Sequence, residues 1–197
     1  MWAASDIEFR APLAPLARVE RVSKVVGIVE KSGAAGPLIF VDVEHITHAN
    51  AVACIFERQT IVYRQAARAP SLLPACDAPD LSAWPWRRSI TPDAKLLFRY
   101  SALTFNSHRI HYDLPYAQNE ECYPGLVVHG PLMATLLLDL CAGALGPDGL
   151  ARFSFRALAP AFAGQPLYLV GRPGETIELQ ALGADGRIVV SARGYLK

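Results

Sequence analysis

The sequence predicts an α+β chain in which an extended antiparallel sheet surrounds one long helix. Three observations carry this. Val- and Ile-rich stretches between Arg18 and Tyr63 are separated by short turn segments, and nothing in the first 64 residues reads as a long helix. Pro131–Leu145 is strongly apolar and has helix punctuation at both ends. Four further strand-like stretches follow it. With 197 residues, 52% of them hydrophobic and 19% charged, the chain can bury a real core.

In the first part, Arg18–Glu30, Pro37–Thr47 and Ala51–Tyr63 read as a three-stranded antiparallel meander, with turns at Gly33-Ala34-Ala35-Gly36 and His48-Ala49-Asn50. Along Leu38–Glu44, Asp42 and Glu44 fall on one face and Ile39, Val41 and Val43 on the other, the period-2 alternation of a half-buried strand. Residues 65–94 hold the densest prolines, Pro70, Pro74, Pro79, Pro85 and Pro92, and read as a connector that Trp84 and Trp86 pack down.

After the connector the expected order is a short strand at Leu96–Tyr100, an irregular polar segment Ser101–Gly125, then the helix. Pro131 suits a first turn and Gly146-Pro147 a stop. Leu132, Leu136, Leu137, Leu138 and Leu140 leave almost no polar face, so the helix must be enclosed on most sides. The strands expected next are Arg152–Leu158, Pro166–Arg172, Thr176–Leu182 and Arg187–Tyr195. One buried helix wrapped by a curved antiparallel sheet is the pattern of a hotdog fold. The organisation is double-hotdog-like with the first repeat lacking its central helix: 1–64 a partial N-terminal repeat, 65–94 the Pro-rich connector, and 95–197 a complete C-terminal hotdog domain.

Charge and punctuation exclude several classes of function. Nineteen Lys and Arg against 18 Asp and Glu leave a net charge of +1, which offers no field for nucleic acid or an anionic membrane. No apolar run reaches the roughly 18 residues of a membrane span, and the first residues lack a signal-peptide pattern. Cys54, Cys76, Cys122 and Cys141 are widely spaced and read as free thiols rather than disulfides or zinc ligands. A cytoplasmic protein without metal or cofactor is expected.

Chemistry concentrates just before the helix. Three of the five histidines lie in Phe105-Asn106-Ser107-His108-Arg109-Ile110-His111-Tyr112-Asp113 and Tyr123-Pro124-Gly125-Leu126-Val127-Val128-His129-Gly130-Pro131. Asp113 is a plausible N-cap for a turn over Leu114–Gln118, which would help aim Asn106 and His111 into one cleft.

At these residues the chain resembles the MaoC-like family of type-2 enoyl-thioester hydratases and 3-hydroxyacyl dehydratases, whose motif ends in Asn, Pro, an aliphatic residue and His. Residues Tyr100–Leu137 look most like the branch of mesaconyl-C4-CoA and itaconyl-CoA hydratases and hydroxyacyl-thioester dehydratases, which typically reads F-N-G-H-R-I-H-Y-D and later Y-P-G-L-V-V-H-G-P-L. The resemblance implies a hydro-lyase that adds water reversibly to a 2,3-enoyl thioester of CoA or acyl-carrier protein, and needs no cofactor. It assigns catalysis to His111, Asn106 and Gly130, and substrate contact to Arg109, His108, His129, Tyr123, Gly125 and Val128. A histidine supplies a base near neutral pKa. A helix start supplies N–H groups for the thioester oxygen, where enolate charge develops. Asn106 departs from the family's aspartate: an amide cannot ionise, though it can hold a water or hydroxyl. Ser107 replaces the branch's usual glycine.

Plainer readings stand beside these. Arg109 meets either a substrate carboxylate, a CoA phosphate or only solvent. His129 could simply support the turn into the helix. His45 and His48 read as ordinary exposed polar residues, Asp139 as hydrogen-bonded structure, and Glu120-Glu121 as water-facing. A non-catalytic acyl-binding or partner subunit is the alternative function. A hotdog thioesterase ranks lower, because it would need a carboxylate near the helix start and Pro131-Leu132-Met133-Ala134-Thr135 has none. The uncovered first meander implies a homo-oligomer.

Overall fold

The computed structural model describes residues 1–33, 36–65 and 69–197. The expected turn around Ala34-Ala35 and the start of the connector therefore lie partly outside the described residues. Nine strands form one antiparallel sheet: β1 Trp2–Phe9, β2 Val19–Gly33, β3 Gly36–Ala49, β4 Val52–Arg64, β5 Trp86–Ile90, β6 Leu150–Ala157, β7 Leu167–Arg172, β8 Ile177–Leu182 and β9 Ile188–Leu196. Their spatial order is β2-β3-β4-β1-β6-β9-β8-β7-β5. Three helices accompany them: α1 Ala94–Thr104, α2 Leu114–Asn119 and α3 Gly130–Leu145. The expected meander and the four late strands are found with boundaries shifted by a few residues at most.

β1 joins the two halves. Ser5 pairs with Gln59 of β4 on one side and with Phe155 of β6 on the other, so the strand is central although its sequence announces it weakly. Trp2-Ala3-Ala4-Ser5 has neither alternation nor β-branched residues; hydrogen bonding from both flanks makes it a strand.

Two expectations are corrected. Leu96–Tyr100 belongs to α1 and is not a strand. Asp93 caps that helix, its side chain accepting from the Leu96 N–H, and Leu97 and Ser101, one turn apart, face the interior. Local capping thus wins over the short apolar run. Within the expected connector, Trp86–Ile90 is an edge strand paired with β7, with Trp86 packed on the core.

α3 is the one long helix among the described residues. Leu132, Met133, Ala134, Leu137 and Cys141 are buried against Phe153, Leu167, Leu169, Ile177, Leu179 and Val189 of the sheet. Thr135, Asp139, Gly143 and Ala144 are its exposed positions. Burying a Leu or Met side chain contributes about 1.5–3 kcal/mol. This packing therefore fixes α3, and with it the position of the helix start. The first half is different: of the described residues up to Arg64, Ser5, His45, Ala49 and Cys54 alone are buried. Among the described residues no helix covers β2–β4.

Candidate functional site

The segment between α1 and α3 is ordered by its own local bonds. Asn106 Oδ1 accepts from the His108 N–H at 3.0 Å, and residues Arg109–His111 form a single 3₁₀ turn. Asp113 caps α2 as expected, accepting from the Tyr116 N–H at 3.1 Å. These bonds turn the chain so that Asn106, His108 and His111 reach one cleft of about 410 Å³, whose opposite wall includes Trp2, Gln59, Ile61 and Arg64 from the first half. Gly130 and Val128 line it from the start of α3, and Tyr123 from the preceding loop.

His111 is buried, 7% exposed, and its Nδ1 donates to the Val127 carbonyl at 2.7 Å. That bond makes Nδ1 the protonated nitrogen of the neutral ring and leaves Nε2 as a lone-pair acceptor without a protein partner among the described residues. Burial lowers its pKa to about 4, against the opposing pull of the Val127 carbonyl, and nearby His108 lowers it further. His108 is lowered chiefly by desolvation; the Glu121 carboxylate, 3.9 Å from its Nε2, acts the other way.

Gly130 is the first residue of α3, so its N–H has no carbonyl one turn earlier to bond. A Cβ built there would stand 3.5 Å from the Trp2 carbonyl oxygen and 3.8 Å from Ala157 Cβ, both cleft residues. The backbone of Gly130 therefore forms part of the cleft wall, with the positive end of the helix behind it. α3 carries no acidic residue in its first turn.

Three expected substrate contacts fall elsewhere. The Arg109 side chain is exposed, held by Asp113 at 2.8 Å and lying over the Tyr116 ring, and it does not line the cleft. The i,i+4 carboxylate captures it. His129 is fully buried behind the cleft: its Nε2 bonds Ser101 Oγ at 2.9 Å, and its ring stacks on His111 with centroids 3.6 Å apart. Burial, then the neighbouring His111, lowers its pKa to about 3. Gly125 approaches Leu73, not the cleft. Outside this segment, His45 is not exposed: it is buried between Ser23 Oγ and Gln59 Oε1, while His48 Nδ1 is buried without a partner among the described residues. Asp139 pairs with Arg88 at 2.6 Å on the surface.

Sequence reasoning missed Gln59, Ile61 and Arg64 as cleft residues. They lie far along the chain from the motif, and only the pairing of β1 with β4 and β6 brings them there. Among the described residues no cluster of His, Cys, Asp and Glu could hold a metal, and no helix is long and apolar enough to cross a membrane.

Comparisons with known proteins agree with this architecture. The chain is 46% identical over 194 residues to the mesaconyl-C(4)-CoA hydratase of Chloroflexus aurantiacus, covering 98% of this chain and 68% of that protein. It is 41% identical over 118 residues to the mitochondrial hydroxyacyl-thioester dehydratase type 2 of Schizosaccharomyces pombe, covering 58% of this chain but 38% of that one. The solved structure of HtdX from Mycobacterium tuberculosis superposes on the whole chain with a TM-score of 0.78 at 17% identity, covers 75% of that protein and shows the shared fold. The sequence profile of hydroxyacyl-thioester dehydratase type 2 matches residues 1–163. The chain therefore belongs to the hydroxyacyl-thioester dehydratase type 2 family, and its hotdog architecture is that of the MaoC-like proteins.

Proposed function

We propose that the cleft adds water reversibly to a 2,3-enoyl CoA thioester, making the chain a hydro-lyase, with the mesaconyl type of dicarboxyl substrate favoured by the 46% identical relative. The carrying observation is a neutral His111 whose free Nε2 shares one cleft with the open N–H of Gly130.

In the hydration direction Nε2 of His111 takes a proton from water as the oxygen bonds to C3 of the enoyl group. The electron pair moves through C2 to the thioester oxygen, where the Gly130 N–H and the N-terminus of α3 stabilise it. The imidazolium then returns its proton to C2, the carbonyl re-forms, and one water has been added. Dehydration runs the same steps backwards. Asn106 assists by orientation: its Oδ1 is engaged by the His108 N–H, which leaves the NH₂ to hold the water or hydroxyl oxygen.

Residues 1–64 act as the second wall of this site and 95–197 carry its chemistry, which supports the division into a partial and a catalytic repeat. The apolar side chains exposed on the edge strand β2, among them Val19, Val22, Val25 and Ile28, support assembly with a second copy.

The test is incubation with crotonyl-CoA, mesaconyl-CoA and itaconyl-CoA. Loss of enoyl absorbance without thiol release is the expected result. Release of free thiol would make the chain a thioesterase, and binding without turnover an acyl-binding subunit.

A further inference from the structure

We propose that Arg64 and Tyr123 form the receptor for the second carboxylate of a dicarboxyl enoyl thioester whose reacting carbons lie at His111. This rests on the hydratase reading and names what selects its substrate. Arg64 ends β4, and its Nη2 donates to Tyr123 Oη at 2.6 Å. Both residues line the cleft that holds His111 and Gly130.

Several observations point the same way. Among the described residues Arg64 is the one side chain lining the cleft that carries a permanent charge. Among the described residues no carboxylate stands within salt-bridge distance of it, although Arg109, Arg88 and Arg152 each have one. Tyr123 is rigid: its ring is buried, its backbone N–H donates to Ala117 and its ring lies near Phe162. Its hydroxyl accepts from Arg64 and, among the described residues, has only the Met1 sulfur, at 3.7 Å, as an acceptor for its own proton. Thioether sulfur accepts weakly, so that O–H remains available to a better acceptor.

A guanidinium and a phenol hydroxyl side by side offer two convergent donors to one carboxylate. Ile61, Val62, Ile110, Val127 and Met133 provide the apolar body of the cleft, suited to the short carbon skeleton that carries the carboxylate. CoA offers phosphates as the other anion, but these are separated from the thioester by the whole pantetheine arm. The second carboxylate of a mesaconyl-type chain lies within a bond or two of the reacting carbons. Arg109, which the sequence suggested for this task, is neutralised by Asp113 outside the cleft.

The experiment compares kcat/KM for mesaconyl-C4-CoA and crotonyl-CoA, which differ only in the carboxylate that replaces the hydrogen on C3, in the wild type, Arg64→Leu, Arg64→Lys and Tyr123→Phe. Arg64→Leu is expected to lower the mesaconyl-to-crotonyl ratio roughly 10- to 100-fold, the scale of a hydrogen-bonded charge. Arg64→Lys restores part of the ratio, and Tyr123→Phe lowers it several-fold while keeping the ring that packs against Phe162. An unchanged ratio, with both substrates losing equally, overturns the receptor and assigns Arg64 to the CoA carrier or to the fold. A wild type that hydrates crotonyl-CoA but not the dicarboxyl thioester overturns the receptor while the hydratase reading stands. A wild type that turns over neither overturns both.

Discussion

The imidazole of His129 lies almost parallel to that of His111, with planes 17° apart and centroids 3.6 Å apart. One ring faces the cleft and the other is sealed behind it, bonded to Ser101 of α1. The His111 ring is thus held from two sides, by the Val127 carbonyl in its plane and by His129 against its face.

His111→Ala should lower turnover about 10²–10⁴-fold, the usual share of acid–base catalysis, with little change in KM. Steady-state kinetics with crotonyl-CoA will show it, and a variant retaining more than half the activity would rule out His111 as the base.

If His111 is the base, the stacked His129 is expected to act through it as a positioning residue. His129→Ala opens space behind the base and admits water, so the acid limb of kcat/KM should move upward from the region near pH 4 set by buried His111. The kcat should fall more than KM rises. A pH profile identical to wild type would mean that the stacking is only packing.

Both rings also make the fold sensitive to acid. Their folded pKa values, about 4 and about 3, lie below the unfolded value near 6.5, so the unfolded chain binds more protons as pH falls. Stability contributed by keeping the rings neutral is full above about pH 6.5 and drops as pH descends toward the folded values. Between pH 7.5 and pH 5 the loss should be roughly 2 kcal/mol for each histidine. Urea unfolding at the two pH values measures it, and His129→Leu should reduce the difference by about half.

Gly130→Ala should fold and keep most activity, because a Cβ meets only ordinary contacts at 3.5 and 3.8 Å. Gly130→Val adds branches beside the Trp2 carbonyl and Ala157, narrowing the approach to the N–H, and should lower kcat by 10-fold or more while the melting temperature changes little. Equal kinetics in the two variants would remove Gly130 as the oxyanion donor.

The exposed valines and isoleucine of β2 predict association. Light scattering at micromolar concentration should give a mass above the monomer, and a lysine at Val22 or Val25, placed against the partner, should reduce it. A stable monomer that binds no hydrophobic dye would remove the expectation.

Local chemistry made much of this protein legible in its sequence. Proline and glycine bracket α3, its leucines require enclosure, Asp113 caps α2, and the alternation and β-branching of the later strands place them within a few residues. The histidine cluster before α3 pointed to the cleft that His108 and His111 line for the same reason, since few residues separate its members. Only the tertiary structure decided what depends on distant partners. β1 is a central strand because β4 and β6 bond it from both sides. Arg64 meets Tyr123 across 59 residues of chain, whereas Arg109 is taken by a carboxylate four residues away. His129 leaves the cleft wall for the interior because Ser101 awaits it there, on a helix that the apolar run Leu96–Tyr100 disguised as a strand. A side chain's neighbours within a turn or two are written in sequence, but its partner across the sheet is set by which strands pair, and that choice is made by burial and hydrogen bonding over the whole chain.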